Sequence, residues 1–150
     1  MRNAESRPKV VLVDDDKFWA STVIRELEKI FDVVYLQEAG EVLPYFEDNY
    51  DTDGIILDIM MDPPDGVAGE AEDGQFTGVW ILRQLVSLVK TANIPVVVLS
   101  NHHDIKEVER RIGELGEIVG HVTVHEKYGK SRTEIPPFLM ARIRAVKGMA

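Results

Sequence analysis

The sequence predicts an α/β protein: one domain built on a parallel sheet of five strands, with helices on both faces. Three observations carry this. Short apolar, β-branched runs alternate five times with segments whose apolar residues recur at helical spacing, the pattern of βα units. The runs are continuously apolar, as in strands covered on both faces. Most of them stop at or lead into a polar residue able to do chemistry, namely Asp14, Asp58, Ser100 and Lys127.

The first strand is read at Lys9 to Val13, ended by Asp14-Asp15-Asp16. Ala20, Val23, Ile24, Leu27 and Phe31 then form one helical stripe, a single face turned to a core. Val33 to Leu36 is the second strand, and Val42, Leu43 and Phe46 mark a short helix, in which Pro44 is tolerable only near the first turn. Gly54 to Leu57 is the third strand, with Asp58 at its end. Residues 62–77 hold prolines, glycines and the acids Asp62, Asp65, Glu70, Glu72 and Asp73. They read as a long, mobile loop. Helical spacing resumes at Ile81, Leu82, Leu85, Val86 and Val89. Ile94 to Leu99 is the fourth strand, ending at Ser100-Asn101. Ile105, Val108, Ile112 and Leu115 mark an amphipathic helix, His121 to His125 a fifth strand, and Leu139, Ile143 and Val146 a last helix after Pro136-Pro137. Residues 1–8 read as a polar tail and 9–147 as the domain, with no second domain expected.

The bulk composition narrows the function. The chain has 150 residues, 45% of them hydrophobic and 29% charged, the balance of a soluble globular domain. With no cysteine, disulfides and thiolate metal sites are excluded. No apolar run reaches the roughly 20 residues a bilayer span needs, and the polar N-terminus lacks the apolar centre of a signal peptide. A cytoplasmic location is expected. The net charge of −9 repels phosphate backbones, so direct nucleic-acid binding is not expected.

Ligands of open parallel sheets bind beyond the carboxyl ends of the strands. In this fold Asp14, Asp15 and Asp58 converge there with Ser100 and Lys127. Carboxylates crowded together repel, and one is driven to protonate unless a cation intervenes. Mg²⁺ suits such a site: it takes oxygen ligands, keeps several waters, and uses one or two carboxylates plus a phosphate. One carboxylate is then free to act as a nucleophile toward a phosphoryl donor, with the metal and the lysine neutralising the transferred oxygens.

The ordered set Val-Asp-Asp, Leu-Asp-Ile-Met-Met, Pro-Val-Val-Val-Leu-Ser and a lysine resembles the receiver domains of two-component response regulators. The resemblance spans Pro8 to Val146. It implies a doubly wound, flavodoxin-like (βα)5 fold with strand order 2-1-3-4-5. It implies that Asp58 accepts a phosphoryl group from a histidine kinase or a phosphotransfer protein. Asp14, Asp15, Asp58 and the Met60 backbone carbonyl would hold Mg²⁺, for which Mn²⁺ could substitute, and Ser100 and Lys127 would bind the phosphoryl group. It further implies a signalling protein that catalyses only its own phosphorylation and dephosphorylation. Output to a downstream protein would pass through the fourth helix, fifth strand and fifth helix, a face that could also form a homodimer. The chain departs from the family in the long 62–77 loop, which puts Thr77-Gly78 where an acidic-Gly pair is usual. It departs again at Tyr128, where proline is usual, at Val124, where an aromatic is frequent, and at Asn101-His102.

Plainer roles compete for some of these residues. Asp16 reads as the N-cap of the first helix. Lys130 is the fallback for Lys127 if the strand register slips. His102 and His103 are adjacent, so they seldom share a ligand. Trp19 and Trp80 read as packing or interface residues. One rival function is a receiver-like interaction module without phosphorylation. The other is a haloacid-dehalogenase-like phosphatase with Asp14 as nucleophile and Asp16 as acid or base, which leaves Asp58 without a role.

Overall fold

The computed structural model describes residues 7–49, 51–86, 88, 93–101, 105–115, 121–129 and 131–148. Val89, His102, His103 and Lys130 lie outside the described residues. Five strands form one parallel sheet: β1 (Lys9–Val13), β2 (Asp32–Leu36), β3 (Gly54–Asp58), β4 (Val96–Ser100) and β5 (Val122–Glu126). Their order is β2-β1-β3-β4-β5, the doubly wound arrangement expected. The helices are α1 (Lys17–Leu27), α2 (Val42–Asp48), α3 (Thr77–Leu85), α4 (Ile105–Gly113) and α5 (Ser131–Val146), with a 3₁₀ turn at Ala39–Glu41.

The period of the strands sorts their side chains between two cores. Val11, Val13, Ile55, Leu57, Val96 and Val98 point to one face, where they meet α2, α3 and α4 through Phe46, Leu82 and Val108. Val10, Leu12, Ile56, Val97 and Leu99 point to the other, where α1 and α5 cover them with Ala20, Val23, Leu139 and Ile143. Registers such as Val13 with Leu57 and Leu57 with Val98 align the carboxyl ends of β1, β3 and β4. The polar residues that end these strands therefore share one edge.

Two elements differ from the sequence reading. The last helix begins at Ser131 and runs through Pro136 and Pro137. Each proline removes one backbone donor, but the first turns carry Ile135, which is 2% exposed within the second core. Burial there outweighs the local cost. The 62–77 segment is also not a free loop. Ala71 and Phe76 are buried, and Arg111 of α4 clasps the segment by pairing with Glu72 and lying 3.7 Å from the Phe76 ring centroid. Glu72 and Asp73 both adopt positive φ, 50° and 58°, which costs a non-glycine residue roughly 1–2 kcal/mol. Docking against α4 holds that turn.

Candidate functional site

Asp14 leaves β1 fully buried, and its backbone is fixed at both its N–H and its carbonyl. The N–H donates to the Leu36 carbonyl at 3.2 Å, and the carbonyl accepts from the Tyr35 hydroxyl at 2.7 Å. Asp16 caps α1 by accepting from the Trp19 N–H at 3.1 Å, as expected for an acid at a helix N-terminus. Its own N–H donates to Asp14 Oδ1 at 2.8 Å. Asp15 points toward the β3–α3 connection, where its Oδ2 accepts from the Asp62 N–H at 3.0 Å. Asp58 ends β3 and is 2% exposed. Met60 lies in the bend directly after it.

The turn after Asp58 is held by contacts that have no local signature in the sequence. Thr77 is buried and donates its hydroxyl to the Met61 carbonyl at 2.6 Å. The Gly78 N–H donates to the Ile59 carbonyl at 2.9 Å. A Cβ at Gly78 would lie 2.7 Å from the Asp58 carbonyl oxygen and 2.8 Å from Ile59 Cα. Only glycine lets the start of α3 approach the strand that carries Asp58 this closely.

Ser100 ends β4 and is buried. Its carbonyl accepts from the Lys127 N–H at 3.0 Å, which ties the start of the β5–α5 turn to the end of β4. From there the Lys127 side chain reaches inward and is 3% exposed. Its Nζ lies 3.3 Å from Asp14 Oδ1, 3.1 Å from Asp14 Oδ2 and 3.2 Å from Asp58 Oδ2. Asp14, Asp15, Asp58 and Lys127 thus meet at one point, with Ser100 on the neighbouring strand end.

Electrostatically the site is short of positive charge. One ammonium faces the carboxylates of Asp14 and Asp58, and a ligand oxygen from each of Asp14, Asp15 and Asp58 lies within 4.8 Å of the others. Burial, then the Asp14 charge, push the Asp58 carboxyl up to about 7 despite Lys127. Burial raises Asp14 as well, against the Asp16 N–H and Lys127. Burial pulls Lys127 down, but the charges of Asp58 and Asp14 outweigh it and hold the ammonium above its ordinary range. Among the described residues Asp58 Oδ1 has no hydrogen-bond partner, and Asp14 Oδ2 has only the ion contact to Lys127. Buried carboxylate oxygens without donors are costly. An all-oxygen donor set of this kind fits a hard divalent cation such as Mg²⁺ or Mn²⁺. A cleft of about 450 Å³, lined in part by Asp15, Glu38, Gly40, Asp62 and Pro64, opens beside Asp15.

Comparison with solved structures decides the fold. The receiver domain of Francisella response regulator 1452 aligns with a TM-score of 0.68 at 20% identity, over 93% of this chain and 98% of that one. A CheY-like response regulator receiver domain protein from Methanospirillum hungatei JF-1 aligns with a TM-score of 0.70 at 14% identity, over 95% of this chain and 98% of that one. The fold is that of response-regulator receiver domains. A structure described as an adenylate cyclase from Rhodopirellula baltica shares it, with a TM-score of 0.67 at 15% identity, over 95% of this chain and 93% of that one. The receiver fold is therefore shared by proteins described in different terms, and the chemistry rests on the side chains at the strand ends. No protein-family model matches the sequence, and no curated protein matches it.

Among the described residues no helix is long and apolar enough to cross a membrane. Val124, on β5, packs partly buried against the first core. Tyr128 is 54% exposed, and Gly129 with φ +90° turns the chain toward α5.

Proposed function

We propose that the chain is a phosphoacceptor switch of two-component signalling, with Asp58 taking a phosphoryl group from a histidine kinase or a phosphotransfer protein. The observation that carries this reading is the Asp58 carboxylate itself. It is buried at a strand end, shares one ammonium with Asp14 through Oδ2, and has no donor to Oδ1 among the described residues. A carboxylate so placed is poorly stabilised and is therefore a good nucleophile. In transfer, a carboxylate oxygen attacks phosphorus, the P–N bond to the donor imidazole breaks, and its electron pair returns to nitrogen. Lys127 stays within reach of the oxygens carried on Asp58, and Ser100 lies on the adjacent strand end to hydrogen-bond them. Asp14, Asp15, Asp58 and the Met60 carbonyl would hold Mg²⁺, which supplies positive charge to the transferred phosphoryl oxygens. Hydrolysis reverses the state: water attacks phosphorus and the Asp58 carboxylate leaves. The protein acts only on itself in both steps.

Two further parts complete the proposal. The signal passes by surface contact through α4, β5 and α5 to a downstream protein, on a face that also allows homodimer formation. The expected compartment is the cytoplasm. The phosphatase alternative loses support because the Asp16 side chain is engaged in the α1 cap rather than poised as acid or base. The interaction module without phosphorylation keeps the fold but leaves the donor-poor carboxylates without a purpose.

The test uses acetyl phosphate and Mg²⁺, with intact mass and peptide mapping as readout. A Mg²⁺-dependent gain of one phosphoryl group on the wild type, lost in Asp58→Asn, is expected. No gain with intact donor would favour the interaction module. Donor hydrolysis that survives Asp58→Asn but vanishes in Asp14→Asn would establish the phosphatase.

A further inference from the structure

Lys127 is held from two chemically different sides. Its ammonium contacts Asp14 and Asp58 at 3.1 and 3.2 Å. The same Nζ lies over the Trp19 ring at 5.1 Å from its centroid and over the Tyr128 ring at 5.8 Å. Trp19 is 8% exposed, so its contact is shielded from water, whereas Tyr128 is 54% exposed. An indole face is the strongest of the aromatic attractors for a cation, and the attraction grows when the pair is desolvated. The α1 cap fixes the backbone that carries the ring, because the Trp19 backbone N–H donates to the Asp16 side chain.

The chemistry gives this contact a use. An ammonium held only by carboxylates follows the nucleophile and neutralises it. A ring face attracts the ammonium without consuming negative charge, so it keeps Lys127 near Asp58 while leaving the carboxylate able to attack. We propose that Trp19 is a positioning residue for Lys127, holding its ammonium where it pairs with the phosphoryl group on Asp58. The proposal rests on the reading of Asp58 as phosphoacceptor. Packing alone would also bury Trp19, which lies in the core with Ala20 and Val23, so the test must separate ring electronics from ring volume.

Fluorination does this, because it weakens the ring face while barely changing its shape. In a Trp80→Phe background, Trp19 would be replaced biosynthetically by monofluoro, difluoro and trifluoro tryptophan. Melting temperature and the second-order rate of phosphorylation by acetyl phosphate at saturating Mg²⁺ would be measured on each. The expected result is a rate that falls stepwise, by about threefold at difluoro, with only a small stepwise drop in melting temperature. A flat rate across the series, in a protein that phosphorylates normally, overturns the positioning role. Failure of the Trp80→Phe protein and of the wild type to phosphorylate overturns the phosphoacceptor reading instead, and this proposal with it. Fluorine NMR of the monofluoro protein tests the contact itself. A resonance that moves in Lys127→Met shows the ammonium over the ring, and one that does not move shows that the grip itself is absent.

Discussion

Replacing Asp58 with asparagine should make the metal-free protein more stable, even though it removes the proposed phosphoacceptor. Asp58 is buried beside Asp14 and its carboxyl is pushed up to about 7 from an ordinary 3.8. The folded state therefore binds a proton that the unfolded state gives up near pH 4. Stability from that proton is complete below pH 4 and is lost as pH rises through 7. The gap between 3.8 and about 7, at roughly 1.4 kcal/mol per pH unit, corresponds to a loss of about 4 kcal/mol by pH 8. Asp14 is raised by burial too and adds in the same direction. The Asp58→Asn side chain keeps an oxygen for Lys127 and leaves Asp14 and Lys127 as a one-to-one pair. Urea unfolding in chelator should then find Asp58→Asn more stable than wild type by about 2–4 kcal/mol at pH 8. The difference should shrink toward zero at pH 5. Added Mg²⁺ should stabilise the wild type at pH 8 and affect Asp58→Asn far less. A variant less stable than wild type at pH 8 without metal, or a difference equal at both pH values, would overturn this account of the site.

The other expectations concern what holds the site in place. Gly78→Ala puts a methyl 2.7 Å from the Asp58 carbonyl oxygen and 2.8 Å from Ile59 Cα. Backbone must move, so stability should fall by about 1–3 kcal/mol and the phosphorylation rate should drop; a variant as stable and as reactive as wild type would mean the approach is looser. Lys127→Met leaves Asp14 and Asp58 without their shared ammonium. It should cost about 3 kcal/mol in metal-free protein at pH 8 and less at pH 5, where Asp58 takes up a proton; calorimetry showing equal losses would count against it. A double-mutant cycle on Arg111→Ala and Glu72→Gln should give a coupling of about 0.5–1 kcal/mol. Either variant should open residues 62–77 to limited proteolysis, and protection equal to wild type would show that Phe76 and Ala71 alone hold the segment.

The strands, their parallel pairing and the chemistry at their ends are all legible in the chain. Continuous β-branched runs have only one environment that covers both faces, and the residues that stop them follow directly in sequence. Asp14, Asp15, Asp58 and Ser100 can be read for that reason, as can the cap at Asp16. Which of these groups touch is a matter of tertiary structure. Lys127 and Asp14 are 113 positions apart, and no local periodicity carries a distance between them. Trp19 reads from sequence as a packing residue because a ring under an ammonium looks like any apolar position of a helix. Residues 62–77 read as a mobile loop because glycine, proline and acid content speaks only of local backbone freedom. The clasp from Arg111 and the burial of Phe76 depend on where α4 lies. Local preference likewise starts the last helix after Pro136-Pro137, because it opposes proline there. Burial of Ile135 against the sheet reverses that preference, since packing energy is set by neighbours in space and not along the chain.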